Sequence, residues 1–236
     1  MEALLAFVAA LLALRLAGDL ARRARTTGRG ELGLWSAGLA AYAVACGALA
    51  WGAAAGWDDR AFRLYYLFGG LLTAPLLACG SLRLRGHTWA KGLALAYAGL
   101  SVGLAVAMEV EPHVTGESIP AADEHLAFLP ARLVAVLGNA IGTIVLVAVA
   151  LASLRSRPIA NGLVLAGVAV AGAGSAVAGL GEAETSAFVA VAALLLYVGF
   201  LWTTDARVRL AALLPGVPDP SRERTDQWPR RRERLS

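Results

Sequence analysis

Long apolar segments recur along the chain and are separated by short stretches that hold most of its charged residues. A bilayer's hydrocarbon core is about 30 Å thick, so a helix needs about 20 apolar residues to cross it, and no water is present there to satisfy free backbone groups. Segments of this kind lie at about residues 3–20, 34–55, 62–82, 90–108, 131–153, 158–180 and 185–204. The pattern predicts an all-α, polytopic bundle of seven transmembrane helices.

Charge alternates between the two sides of this predicted bundle. Arginine clusters follow the first, third and fifth segments, whereas acidic residues dominate after the fourth and sixth and the connection after the second is nearly neutral. Because basic loops stay in the cytoplasm, the N-terminus is predicted outside and the C-terminus in the cytoplasm. We therefore expect a multi-pass protein of the cell (inner or plasma) membrane.

Composition and charge argue against a nucleic-acid partner and distinguish the C-terminal residues from the predicted membrane domain. Hydrophobic residues make up 58% of the chain and charged residues 16%, and the net charge is +4. In a membrane protein these arginines report orientation, so no nucleic-acid partner is predicted. Residues 1–214 form the predicted membrane domain, and residues 215–236 a disordered, arginine-rich cytoplasmic tail. The tail is expected either to contact anionic lipid headgroups or only to set topology.

Small residues and one proline predict features of helix packing. Gly138 and Gly142 lie four residues apart in the fifth segment, and the sixth carries small residues at the same spacing, so these two helices are predicted to be close partners. Pro75 is predicted to kink the third helix. Cys46 and Cys79 differ by about 13 Å in predicted depth and should not form a disulfide.

Several intramembrane chemistries lack the residues they need. Lys91 is the only lysine and lies outside the last helix, which excludes a retinal protein of the microbial rhodopsin type. All three histidines fall in predicted loops, which argues against haem between helices. No metalloprotease, phosphate-loop or hydrolase motif is present. No cofactor is predicted, and an enzyme is the less favoured class.

Polar residues near the predicted outer ends of three helices are candidates for a ligand site. Arg63, Glu109 and Arg132 fall at similar depth and would close a polar ring around an outward-facing cavity. Tyr66, in the same stretch as Arg63, and the deeper Asn139 are further candidate ligand-binding residues. The alternative is that both arginines extend to headgroups and that Asn139 bonds a neighbouring helix.

The loop between the fourth and fifth segments is acidic and holds two histidines. His113, His125 and Glu111 are candidate ligands for a divalent cation, since imidazole and carboxylate groups bind such ions. Their spacing matches no established site. The alternative is a solvated acidic surface.

The start of the third helix resembles a known group of proteins. The stretch from Phe62 to Leu76 contains Tyr-Leu-Phe-Gly followed by Pro75. It is similar to the third helix of uncharacterised seven-helix integral membrane proteins of actinobacteria. The resemblance implies membrane localisation and fold, and assigns no activity to any residue.

Two functions remain open. The first is a receptor-like or transport-like protein that binds a small ligand or ion from the outer side. The second is an accessory or scaffold membrane protein that acts through helix packing and its basic tail. Thermal stabilisation by small ligands would distinguish them, because only the first has a ligand to bind.

The predicted orientation can be tested by labelling. A cysteine introduced near Ala121 should react with an impermeant thiol reagent in intact cells, and one near Ser221 should not. The reverse result would invert the topology.

Overall fold

Seven helices make up the part of the chain that the computed structural model describes. This part comprises residues 2–108, 110, 113–116, 119–120, 125, 129–155, 158–178 and 188–199, without the side chains of residues 160 and 172–178. No strand occurs among these residues. The predicted all-helical fold is confirmed.

The helix bounds follow the predicted apolar segments closely. They are α1 Glu2–Thr27, α2 Gly30–Ala55, α3 Asp59–Leu84, α4 Ala90–Ala107, α5 Leu129–Ala152, α6 Pro158–Ala178 and α7 Phe188–Gly199. Helices α1 to α5 are long and apolar enough to cross a membrane. The apolar parts described for α6 and α7, Asn161–Ala171 and Phe188–Gly199, are shorter. Five spans are therefore supported, and the predicted set of seven spans stays a prediction.

The outer faces of these helices are apolar. Val106 of α4 is 79% exposed, and Leu95 of α4 and Ile144 of α5 are nearly as exposed. Soluble monomers rarely leave large contiguous apolar surfaces open to water. An exterior of this kind is what a helix bundle in lipid requires.

Small residues bring α2 and α3 close together. A Cβ atom placed on Gly38 would lie 2.8 Å from Leu77 Cγ, so the backbone of α2 contacts a side chain of α3 directly. At the end of α3, Gly80 lies in the same way against the Trp35 ring. Cys46 of α2 and Cys79 of α3 are both buried and free, as predicted.

Helix α3 is not a regular α-helix. Its central part, Tyr66–Thr73, is a π-helix, which we call the π segment, and Pro75 follows it. In the i to i+5 bonding of a π-helix the Gly70 carbonyl would accept from residue 75, and proline has no N–H. The side chain of Asn139 on α5 donates to that carbonyl, with Nδ2 2.5 Å from the Gly70 oxygen. The π segment therefore lies directly before Pro75 and is bonded to a neighbouring helix, and the predicted kink at Pro75 stays a prediction.

Gly138 and Gly142 of α5 lie at contacts with α3 and α4, and not at the predicted contact with α6. A Cβ atom on Gly142 would lie 2.9 Å from the carbonyl carbon of Ala74, and Gly138 lies against Tyr97 of α4 and Pro75. The expectation that Gly138 and Gly142 form an interface with α6 is therefore wrong. Gly167 of α6 lies instead against Leu196 of α7.

The hydrogen bond from the Asn139 side chain to the Gly70 carbonyl should contribute to stability. Asn139→Leu removes the hydrogen bond that Asn139 donates to that carbonyl, which should cost about 1–3 kcal/mol. We expect a lower unfolding midpoint in detergent for this variant, measured by thermal or denaturant titration. Ile141→Leu, at an exposed position of α5 that does not line the cavity beside the π segment, is the matched control.

A double-substitution cycle tests the role of the proline itself. Pro75→Ala returns an N–H to the chain, so Asn139→Leu should cost less in that background than in the native one. Equal costs in both backgrounds would mean that the missing N–H is not what Asn139 compensates.

Candidate functional site

A cavity of about 660 Å³ lies beside the π segment. Helices α2, α3, α5, α6 and α7 all contribute to its walls. The α3 wall contains Gly69 and Gly70, which have no side chain to fill the space, and Ala45 of α2 lies opposite Gly69. The remaining lining residues are Leu39, Tyr42, Cys46, Leu49, Tyr65, Tyr66, Thr73, Ala74, Leu77, Asn139, Ala140, Thr143, Ile144, Leu146, Val168, Ala171, Val189 and Leu196.

Three hydroxyl groups on the cavity wall are engaged by backbone carbonyls. The Tyr42 hydroxyl donates to the Val189 carbonyl of α7 at 3.0 Å. The Tyr66 hydroxyl donates to the carbonyl of Ala131 at the start of α5 at 3.3 Å. Thr73 donates within α3, to the Phe68 carbonyl at 2.7 Å. These bonds connect α2 to α7 and α3 to α5, so they fix the walls and leave little capacity for a ligand.

Two other hydroxyl groups keep their donor capacity. The hydroxyls of Tyr65 on α3 and Thr143 on α5 line the cavity and donate no hydrogen bond to any described residue. Asn139 uses one amide N–H on Gly70 and has a second. Among the described lining residues none is charged. The cavity can therefore offer neutral hydrogen-bond donors to a mostly apolar molecule.

Two of the residues predicted to bind a ligand line the cavity, and two others do not. Tyr66 and Asn139 line the cavity together, on the facing helices α3 and α5. Arg63 does not line it, and its Nη1 instead donates to the Ala105 carbonyl of α4 at 3.0 Å. Arg132 is also absent from its walls, and Glu109 lies outside the described residues. The polar ring of Arg63, Glu109 and Arg132 stays a prediction.

The two described histidines that were predicted to bind a cation contact different partners. His113 Nδ1 lies 2.7 Å from Asp59 Oδ2, whereas the His125 ring packs edge-on against Phe62 with centroids 5.9 Å apart. Glu111 lies outside the described residues. No group of three histidine, cysteine, aspartate or glutamate side chains in the described ranges is placed to hold a metal ion. The sequence analysis had not linked Asp59 to His113.

Asp59 holds a short segment, which we call the strap and define as residues 113–116, against the start of α3. Its Oδ1 accepts from the Val114 backbone N–H at 2.8 Å, and its Oδ2 contacts His113. The Trp57 backbone N–H donates to the Gly116 carbonyl at 2.8 Å. Val114 and Trp57 are buried. The strap therefore closes one end of the bundle by a few specific bonds.

Sequence reasoning missed the cavity because its walls are mostly apolar. The signal that pointed to it was local: a Gly69-Gly70 pair inside a predicted span, followed by Pro75. Glycine and proline are unfavourable in a helix interior, and π segments often occur at functional sites. Thr143 did carry a signal, because it lies four residues after Asn139 near the predicted middle of the membrane, where both were expected either to bond neighbouring helices or to contact a ligand. The Tyr65 hydroxyl carried no such signal.

Removing the Asp59 carboxylate should release the strap. Hydrogen bonds to a charged group contribute about 1.5–3 kcal/mol, so Asp59→Ala should speed amide exchange of residues 113–116 by about tenfold or more. Hydrogen–deuterium exchange read by mass spectrometry measures this.

Asp58→Ala is the control for this exchange experiment. Asp58 caps α3 through the Ala61 N–H at 2.7 Å and makes none of the side-chain bonds to the strap. It should lower stability while leaving strap protection nearly unchanged. Unaltered exchange in Asp59→Ala would contradict the role given to Asp59.

Comparison with known proteins adds no relative to this geometry. No protein-family model matches the chain, and no curated protein or solved structure is detectably similar to it. The resemblance of residues 62–76 to actinobacterial seven-helix proteins therefore stays a prediction, and function has to be argued from the cavity.

Proposed function

We propose that this chain is a multi-pass protein of the cell membrane that binds a small ligand in the cavity beside the π segment, as receptor-like or transport-like proteins do. The observation that carries the proposal is the cavity itself. Its volume of about 660 Å³ lies in the usual range for small-molecule sites, roughly 300–1,000 Å³.

The arrangement of its wall favours binding over a purely structural role. Protein interiors are close-packed, and voids larger than a water molecule are few. Here α5 contacts α3 closely at Ala74, and Ala74 also lines the cavity, so the close contact and the open space are adjacent. A scaffold needs the close contact but not the space. A ligand that fills the space accounts for both.

The proposal moves the ligand from the predicted outer ring to the middle of the helices. Tyr66 and Asn139 keep their place as binding residues because they line the cavity. Orientation in the membrane and contact between the tail and anionic lipid headgroups remain part of the proposal as predicted. The tail, residues 215–236, lies outside the described residues.

Ligand-induced stabilisation of the purified protein tests the proposed function. A compound that binds only the folded state stabilises it by about 2.7 kcal/mol when present at 100 times its Kd. We expect small, mostly apolar compounds from a mixed library to raise the unfolding midpoint of the native protein in detergent.

Two substitutions on α5 test whether a stabilising compound binds in the cavity. Thr143→Phe places a ring into the cavity from its wall and should abolish the shift. Ile141→Phe, two residues away at an exposed position that does not line the cavity, should preserve it. If no compound stabilises the native protein, the scaffold function is favoured. An equal shift in both variants would place the ligand elsewhere.

A further inference from the structure

One face of α5 is a continuous exposed apolar stripe. Leu133, Val136, Leu137, Ile141 and Ile144 are each at least half exposed, and they follow one another at the spacing of a single helix face. In the bilayer location proposed above, this stripe lies against lipid tails.

The cavity reaches this stripe. Ala140 and Ile144 are exposed on the outer face of α5 and at the same time line the cavity. Ile144 is 66% exposed, which is too much for a side chain that closes a wall. Val168 and Ala171 of α6 line the cavity as well. The cavity therefore opens sideways at α5, toward the hydrocarbon and not toward water.

The polar groups inside select for a neutral partner. A charged group at membrane depth needs a counter-charge, and the described lining residues provide none. The Tyr65 and Thr143 hydroxyls, which donate to no described residue, favour a ligand atom that accepts a hydrogen bond. A hydrocarbon without such an atom would leave these donors unused.

From the lateral opening and the neutral donors we infer that the ligand is an uncharged, membrane-dissolved lipid with a carbonyl oxygen, which enters between α5 and α6. Its apolar chain lies along the wall formed by the π segment. Its carbonyl oxygen accepts from Tyr65, Thr143 or both. This inference rests on the proposed function and specifies its ligand class and its route of access.

Photolabelling in a bilayer tests the ligand class. The full chain is reconstituted in phosphatidylcholine vesicles with either of two diazirine probes of equal chain length, a methyl ester or an alkyl sulfonate. Labelled peptides are identified by mass spectrometry. The neutral ester should label residues 69–77 of the cavity wall several times more strongly than the sulfonate does, while both probes label Leu133, Val136 and Leu137 of the outer stripe equally.

The donors are tested by substitutions that keep side-chain shape. Tyr65→Phe combined with Thr143→Val should reduce ester labelling of the cavity wall by about tenfold, as expected for two lost hydrogen bonds. Thr143→Ser retains a hydroxyl and should label like the native protein. Full labelling of the double variant would overturn the role of the two hydroxyls.

The route by which the lipid enters is tested by substitutions at the lateral opening of the cavity. Ile144→Trp should slow labelling of the wall, whereas Ile141→Trp on the same stripe should not. Equal rates in these two variants would overturn lateral access.

The outcomes separate this inference from the proposed function. Equal wall labelling by ester and sulfonate would overturn the neutral-lipid class and leave the cavity as a binding site. Absence of wall labelling, with library compounds still stabilising the protein, would show that the ligand is not a bilayer lipid. Absence of both effects would remove the proposed function itself.

Discussion

The missing N–H of Pro75 is the constraint on which the centre of this structure depends. A proline inside a long apolar helix leaves a backbone carbonyl without its donor, and no water is available in hydrocarbon to replace it. In this protein a π segment directly precedes the proline, and the Asn139 side chain donates a hydrogen bond to the Gly70 carbonyl. A local defect in α3 thereby becomes a specific bond between α3 and α5.

Close approach of the two backbones makes that bond reachable. Asparagine has a short side chain, so α5 must approach α3 closely, and Gly142 permits this where any Cβ atom would meet Ala74. Next to this contact the π segment and its glycines leave space unfilled. The close contact and the cavity therefore lie side by side along the same irregular helix. Segments of π-helix often occur at functional sites.

The chemistry of the cavity agrees with the surface of the bundle. The large exposed side chains of α4 and α5 are apolar, and the described residues that line the cavity are uncharged. An apolar molecule on this exterior and one in the cavity therefore both contact uncharged side chains. The charged residues Arg63 and Asp59 act elsewhere, on a neighbouring carbonyl and on the strap. The neutral lipid proposed above is compatible with such a site, because its transfer from bilayer to cavity exposes no charge.

The sequence by itself determined that the chain is helical and apolar, because a span of about 20 residues without charges leaves little alternative. The free cysteines also followed from position along a helix. Which helix faces Gly138 and Gly142 did not follow, since small residues permit close approach without naming a partner. The meeting of Asn139 with Gly70, and of Asp59 with His113, joins residues more than fifty positions apart. Only the tertiary structure decided these contacts, because folding brings distant residues within hydrogen-bonding distance, and position along the chain does not specify which residues will meet.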